Sequence, residues 1–188
     1  METTLAQPAL ASEARASALA AEDFDLLVRE HQRRIYRVLL LLVRDPDAAD
    51  MLTQECFLRA FERRGTFRGE ARVDTWLVRI AVNLARDHAK NRRAAFWRRL
   101  VRGGDAESGV VADRGASPEG LLLVREELAA VWSAAGALSV HQRTAFVLRY
   151  AEEMSLEEIA VAMSVEVGTV KSHLARAVAA VRNRVRGS

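Results

Sequence analysis

The chain has 188 residues, with 28 basic and 25 acidic side chains, a formal net charge of +3 and half of its residues apolar. That length allows one domain or two small ones, while Gly plus Pro at 13 of 188 and 28% charged residues exclude collagen-like and wholly disordered chains. Aromatic residues at 6% point to a helical core, and the single cysteine, Cys56, excludes an internal disulfide and fits a reducing compartment.

Residues 1–21 are rich in Ala, Ser and Thr and show no sustained period, so a disordered lead-in is expected. They hold no apolar run long enough for a signal peptide, and the longest apolar run anywhere, Val38 to Val43, is far too short to cross a bilayer. A cytoplasmic protein is expected. Phe24, Leu27, Val28, Ile35, Val38, Leu39 and Leu42 then recur at helical spacing up to Val43. Asp45-Pro46-Asp47 ends this helix and starts a second, with proline in the first turn and acids placed for the dipole.

The second helix is expected from Ala48 to Arg63. Its apolar residues Met51, Leu52, Cys56, Phe57, Leu58 and Phe61 are spread around the circumference. Burying one face leaves apolar groups on another, which suits either a partner surface edged by Asp50, Gln54 and Glu55 or the central helix of a small bundle.

Gly65 to Asp74 reads as a loop, and Thr75 can cap a third helix beginning at Trp76 with Leu77, Ile80, Ala81 and Leu84 on one side. On the opposite side Arg79, Asn83, Arg86 and Lys90 form one stripe, continued by Arg92, Arg93, Arg98, Arg99 and Arg102. Such a stripe, with an amide for a base edge and Phe67, Trp76, Phe96 and Trp97 nearby, is suited to capturing a nucleic-acid strand. The plainer alternative is a core tryptophan beside solvated bases. Residues 24–93 hold fifteen bases against ten acids, so the basic excess is regional.

From Ala94 to Gly120 the chain has glycine-rich, mixed-charge sequence and reads as a linker, open to a helical extension through Phe96 and Trp97. A second helical block follows, with helices expected at Leu121–Gly136, His141–Tyr150, Ser155–Met163 and Val167–Arg186. Ser155-Leu156-Glu157-Glu158 is a capping box. After it, Leu156, Ile159, Ala160 and Met163 face inward, Ser164 to Glu166 turn the chain, and Val170, Leu174, Ala177, Val178 and Val181 line the next helix. This is a helix-turn-helix pattern. Thr169, Ser172 and Arg176 point away from the buried side, and Gly168 to Arg186 carries five bases and no acid, whereas Glu152, Glu153, Glu157 and Glu158 crowd the preceding segment. The asymmetry fits a reading helix facing phosphate, with the acids turned away or toward a protein partner; a solvated amphipathic helix is the alternative.

Enzyme readings find no support: the four histidines are dispersed, no glycine-rich phosphate loop occurs, and Cys56 lacks a partner for a metal site. No catalytic residue, metal ligand or cofactor is assigned, and Cys56 is read as a small core hydrophobe.

These segments resemble the extracytoplasmic-function, group IV, sigma factors of the sigma-70 family. The resemblance covers Phe24 to Arg93 and Leu121 to Arg186: DPDAADMLTQECFLRAF is similar to region 2.2, FRGEARVDTWLVRIAVNLARDHAKNRR to regions 2.3 and 2.4, and HQRTAFVLRYAEEMSLEEIAVAMSVEVGTVKSHLARA to region 4. It implies an all-α protein of two small helical domains joined by a flexible linker: lead-in 1–21, region 2 domain 22–93, linker 94–120 and region 4 domain 121–188. It further implies a non-enzymatic factor that binds core RNA polymerase and directs it to promoters, under the control of an anti-sigma factor. No sensor segment follows Arg186, so control by a separate protein is expected.

Carried over by position, Asp50, Gln54 and Glu55 would face core polymerase. Phe67, Trp76, Arg79, Asn83, Arg86 and Lys90 would hold the single-stranded -10 element, and Thr169, Lys171, Ser172, His173 and Arg176 the duplex -35 element. Two departures stand out: family members usually have an acid at the position of Ala49 and Leu-Pro where this chain has Leu138-Ser139. A free-standing helix-turn-helix regulator would account for the last third only, and a helical adaptor would leave the basic stripes unused.

Overall fold

The structure is a computed structural model that describes residues 21–67, 72–101 and 122–186. The expected lead-in, residues 68–71 of the loop and the stretch 102–121 lie outside the described residues, as do the side chains of Phe96, Trp97, Arg98 and Arg99. Seven α-helices and one short 3-10 turn, Arg64–Thr66, make up the described residues, with no strand among them.

The first domain is built from α1 (Ala21–Val43), α2 (Pro46–Arg63) and α3 (Val73–Val101). Arg44 stops α1 in the left-handed region at φ 58, its N–H returning to the Leu40 carbonyl at 2.8 Å. Asp45 then caps α2 by accepting the Ala48 N–H at 3.1 Å, and Pro46 occupies the first turn, where no N–H is missed. The third helix starts earlier than expected. Trp76 N–H already reaches the Arg72 carbonyl at 3.1 Å, and Thr75, expected as the cap, lies inside the helix with 5% of its surface exposed. Asp74 supplies the first-turn acid instead. The helix also continues to Val101, beyond the point where the apolar period fades.

The second domain contains α4 (Leu122–Ala135), α5 (Val140–Tyr150), α6 (Leu156–Met163) and α7 (Val167–Arg186). Where relatives of the family usually carry Leu-Pro, Ser139 serves as the N-cap of α5, and Gln142 Oε1 accepts its N–H at 3.3 Å. The unusual entry is thus closed by side-chain hydrogen bonding. Ser155 and Glu158 form the expected reciprocal box at α6, with distances of 3.1 and 2.9 Å. Ser164, left-handed at φ 56, then turns the chain into α7.

The two expected helical domains are present, and they also pack against one another. Ile35, Val38, Leu39, Leu77 and Val78 are almost fully buried, and their apolar cluster continues without a break into Leu148, Ile159, Met163 and Val170 of the second domain. Helix α6 lies on α3, and α5 touches α1. The sequence of α3 permits this because Leu77, Val78, Ile80, Ala81, Val82, Leu84 and Ala85 are all buried, an arc of about 200° at 100° per residue. That is wide enough to serve α1 and α2 on one side and a further helix on the other. A smaller cluster of Ala134, Ala135, Leu138, Phe146, Ala177 and Val181 belongs to the second domain alone.

Candidate nucleic-acid interface

Helix α2 separates its apolar residues into two faces. Ala49, Leu52, Cys56, Phe57 and Ala60 point into the core, while Met51 and Leu58 remain 54% and 55% exposed beside the exposed Asp50 and Gln54. Gln54 donates to Asp50 at 3.1 Å and Arg59 to Glu55 at 2.7 Å, so the polar edge is held along the helix. An apolar centre with a charged rim is the composition of a protein-binding surface. Ala49 is fully buried, so an acid is absent from a position that offers no surface contact in this chain. Cys56 is also buried: desolvation pushes its thiol up to about 12, and its Sγ sits 3.7 Å from the Leu77 carbonyl. Burial thus gives it the character of an inert hydrophobe.

The basic stripe of α3 occupies the arc that the core leaves open. Arg79 and Lys90 are exposed, and Asn83 and Arg86 are half-buried. Arg86 Nη2 donates to Asn83 Oδ1 at 2.8 Å, which leaves the Asn83 amide hydrogens for an outside acceptor. Arg86 Nε is buried with no hydrogen-bond partner. Phe67 lies in the core with its ring 5.3 Å from Trp76, which is only partly buried. Phe67 therefore supports the tryptophan from behind, and of the two rings Trp76 is the one with surface to offer.

On α7 the structure exposes Thr169, Lys171, Ser172 and Arg176, while Val170, Ala177 and Val181 hold the helix to its domain. Ser172 Oγ donates to the Gly168 carbonyl at 3.0 Å. His173 is half-buried and stacks on His141, with ring centroids 5.6 Å apart and planes 18° from parallel. Burial, then His141 and Arg176, lower the His173 pKa, so its neutral form is favoured. His88 on α3 is lowered in the same direction by burial and by Arg92.

The tertiary structure sets the basic stripe of α3 beside the start of α5. A cavity of about 530 Å³ is lined by Arg86, Lys90 and Arg93 of α3 and by Ser139, Val140 and His141 at the start of α5. Through His141 it adjoins His173 of α7. Asp50, Gln54 and Glu55 are not part of this constellation and keep to their own face of α2. Arg93, read in the sequence as a continuation of the stripe, lines it too, and His141 joins it without having been singled out as a candidate, legible only from the packing. Among the described residues no group of three or more His, Cys, Asp or Glu is placed to hold a metal ion, and no helix is long and apolar enough to cross a membrane.

Exposed bases along one helix of an all-α domain, followed by a helix-turn-helix, define a DNA-binding transcription protein of two helical modules. Residues 27–95 match the family model described as sigma-70 region 2, and residues 128–181 match sigma-70, region 4. The chain is 37% identical over 157 residues to an RNA polymerase sigma-H factor of Pseudomonas aeruginosa, covering 82% of this chain and 81% of that one. It is 35% identical over 169 residues to an extracytoplasmic-function RNA polymerase sigma-E factor of Escherichia coli, covering 86% of each. Its fold resembles the sigma factor RpoE solved with the anti-sigma factor NepR from Bartonella quintana, at a TM-score of 0.67 and 21% identity over 88% of this chain and 98% of the other. It also resembles CnrH solved with the cytosolic domain of CnrY, at a TM-score of 0.64 and 23% identity over 93% and 95%. The chain belongs to the extracytoplasmic-function sigma factors of the sigma-70 family. It is therefore a transcription initiation factor that acts with core RNA polymerase on promoter DNA.

Proposed function

We propose that the work of this sigma factor divides among three surfaces. The outer face of α2, with Asp50, Gln54 and Glu55 around Met51 and Leu58, docks on core polymerase. Trp76, Arg79, Asn83, Arg86 and Lys90 hold the -10 strand once it opens, with Phe67 backing the tryptophan. Thr169, Lys171, Ser172, His173 and Arg176 read the -35 duplex, Arg176 at a base edge and Lys171 on phosphate. The observation that carries this reading is α3 itself: its buried arc leaves the stripe Arg79, Asn83, Arg86 and Lys90 as the open side of an otherwise covered helix.

The protein works in the cytoplasm, where a sigma factor meets its polymerase, and contributes no catalytic group or cofactor of its own. An anti-sigma factor controls it, a reading supported by the two solved proteins it resembles, both captured with such inhibitors or with a partner's cytosolic domain.

Transcription by sigma-free core polymerase on genomic promoter fragments tests the assignment, with and without the protein. Specific transcripts are expected only in its presence. Arg176→Ala should cost about 1–3 kcal/mol at promoters that depend on the upstream element. Asn83→Ala should impair duplex promoters and spare a pre-melted template; equal losses on both would remove Asn83 from strand opening.

A further inference from the structure

The cavity between α3 and α5 has the lining of a ligand site. Its volume of about 530 Å³ falls in the range of about 300–1,000 Å³ usual for small-molecule pockets, far more than an inorganic ion fills. Arg86, Lys90 and Arg93 stand on one wall, four and three residues apart along α3 and so spread over about 10 Å at 1.5 Å per residue. Ser139, Val140 and His141 form the other wall, and no acid is among the lining residues. Polar contacts elsewhere pin the walls: Arg143 of α5 donates to the Leu42 carbonyl at 2.8 Å, and Glu152, just after α5, accepts from Arg34 Nε at 2.6 Å and from Arg37 Nη2 at 2.8 Å, both on α1.

Three like charges around one space focus a positive field into it. The opposite wall adds to that field, because the first N–H groups of α5 have no acceptor inside the helix and carry the positive end of its dipole. Arg86 brings an unmet demand: its Nη2 is committed to Asn83 Oδ1 at 2.8 Å, whereas its Nε is buried with no hydrogen-bond partner. Cations spread along two helical turns are more than one phosphate can meet at once, which selects an anion with several phosphates in a row. The rest of the lining is apolar, from Ala89, Ala94 and Val140, and the His141 ring, stacked on His173, adds an aromatic neighbour. Such surface suits a flat heterocyclic base.

We propose that this cavity binds a nucleotide carrying two or more phosphates, the phosphates on Arg86, Lys90 and Arg93 and the base against Ala89, Val140 and His141. A nucleic-acid strand fits the space less well, since the stripe it would follow includes Arg79 and Asn83, which do not line the cavity, while α5 walls the side facing α3. A bound nucleotide occupies Arg86 and Lys90, so it competes with the -10 strand and makes promoter opening respond to nucleotide supply. That consequence rests on the function proposed above, but the binding itself does not.

Isothermal titration calorimetry of the full chain with ATP and with GTP, at low ionic strength and with no DNA or polymerase present, tests the site. Saturable binding of one nucleotide per chain is expected for at least one of them, with inorganic tripolyphosphate weaker by about tenfold or more. Val140→Asp sets a carboxylate in the cavity at the start of α5, where the helix dipole favours an acid, so the variant should fold. It and Arg93→Glu should each weaken binding by about tenfold or more with helix content unchanged. Arg182→Glu makes the same charge change on the exposed side of α7, outside the cavity, and should keep the affinity within about twofold. No saturation by either nucleotide up to millimolar concentration, unchanged affinity in Val140→Asp, or an equal loss in Arg182→Glu would overturn the proposal, and tripolyphosphate binding as tightly as the nucleotides would overturn the place given to the base. None of these outcomes depends on the -10 reading, which the pre-melted template tests separately.

Discussion

The two domains are of similar size and both are helical, yet they bury their apolar residues differently. The first closes around Ile35, Val38, Leu39 and Leu77, drawn from two long helices, with Cys56 and Phe57 of α2 filling the third side. Among the described residues, the second keeps the Ala135, Leu138, Phe146 and Val181 cluster to itself and contributes Leu148, Ile159 and Met163 to a core continuous with its neighbour's. A domain boundary legible in sequence is therefore not a boundary of packing. The helix-turn-helix module, short of interior volume, completes its burial against the broad apolar arc of α3.

Truncating the shared core should have the largest effect. Ile159→Ala removes a fully buried side chain and should cost about 2–5 kcal/mol. Hydrogen exchange checks where the loss is felt: protection should fall in α3 as well as in α5 to α7, and a loss confined to the second domain would restore the picture of two independent cores. A smaller effect follows from pH. His88 in the first domain and His173 in the second both have folded pKa values below the ordinary 6.5, so the unfolded chain takes up protons first as pH falls. Stability should be full above about 6.5 and decline as pH drops toward the folded values. Denaturation at pH 7.5 and 5.5 reads this, and His88→Gln or His173→Gln should each reduce the difference. The smallest change is at Ser164, a non-glycine residue at φ 56 in the helix-turn-helix turn. Ser164→Gly should raise stability by up to about 1 kcal/mol in a thermal melt, sharpening the contrast by relieving a turn that belongs to the second domain alone.

Much of the local structure was legible from particular residues. Pro46 after Asp45 placed the start of α2, the Ser155–Glu158 pair placed α6, and the four-three-four spacing of Arg79, Asn83, Arg86 and Lys90 placed the open side of α3. Exposed Met51 and Leu58 were likewise implied by an apolar set too wide for one face. The start of α3 was misjudged because Thr75 is an equally good residue for a cap and for a buried turn, and only burial against the core distinguishes the two.

The sequence by itself determined the helices, the Ser155–Glu158 capping box, the order of the modules and the charge of each surface, because these depend on contacts within a few residues along the chain. Only the tertiary structure decided that α6 lies on α3, that Glu152 pairs with Arg34 and Arg37 more than a hundred residues away, and that the α3 stripe and the start of α5 line one cavity. Those facts depend on which apolar arcs fit together in space, and periodicity along one helix states how wide its buried arc is without naming the helix that covers it.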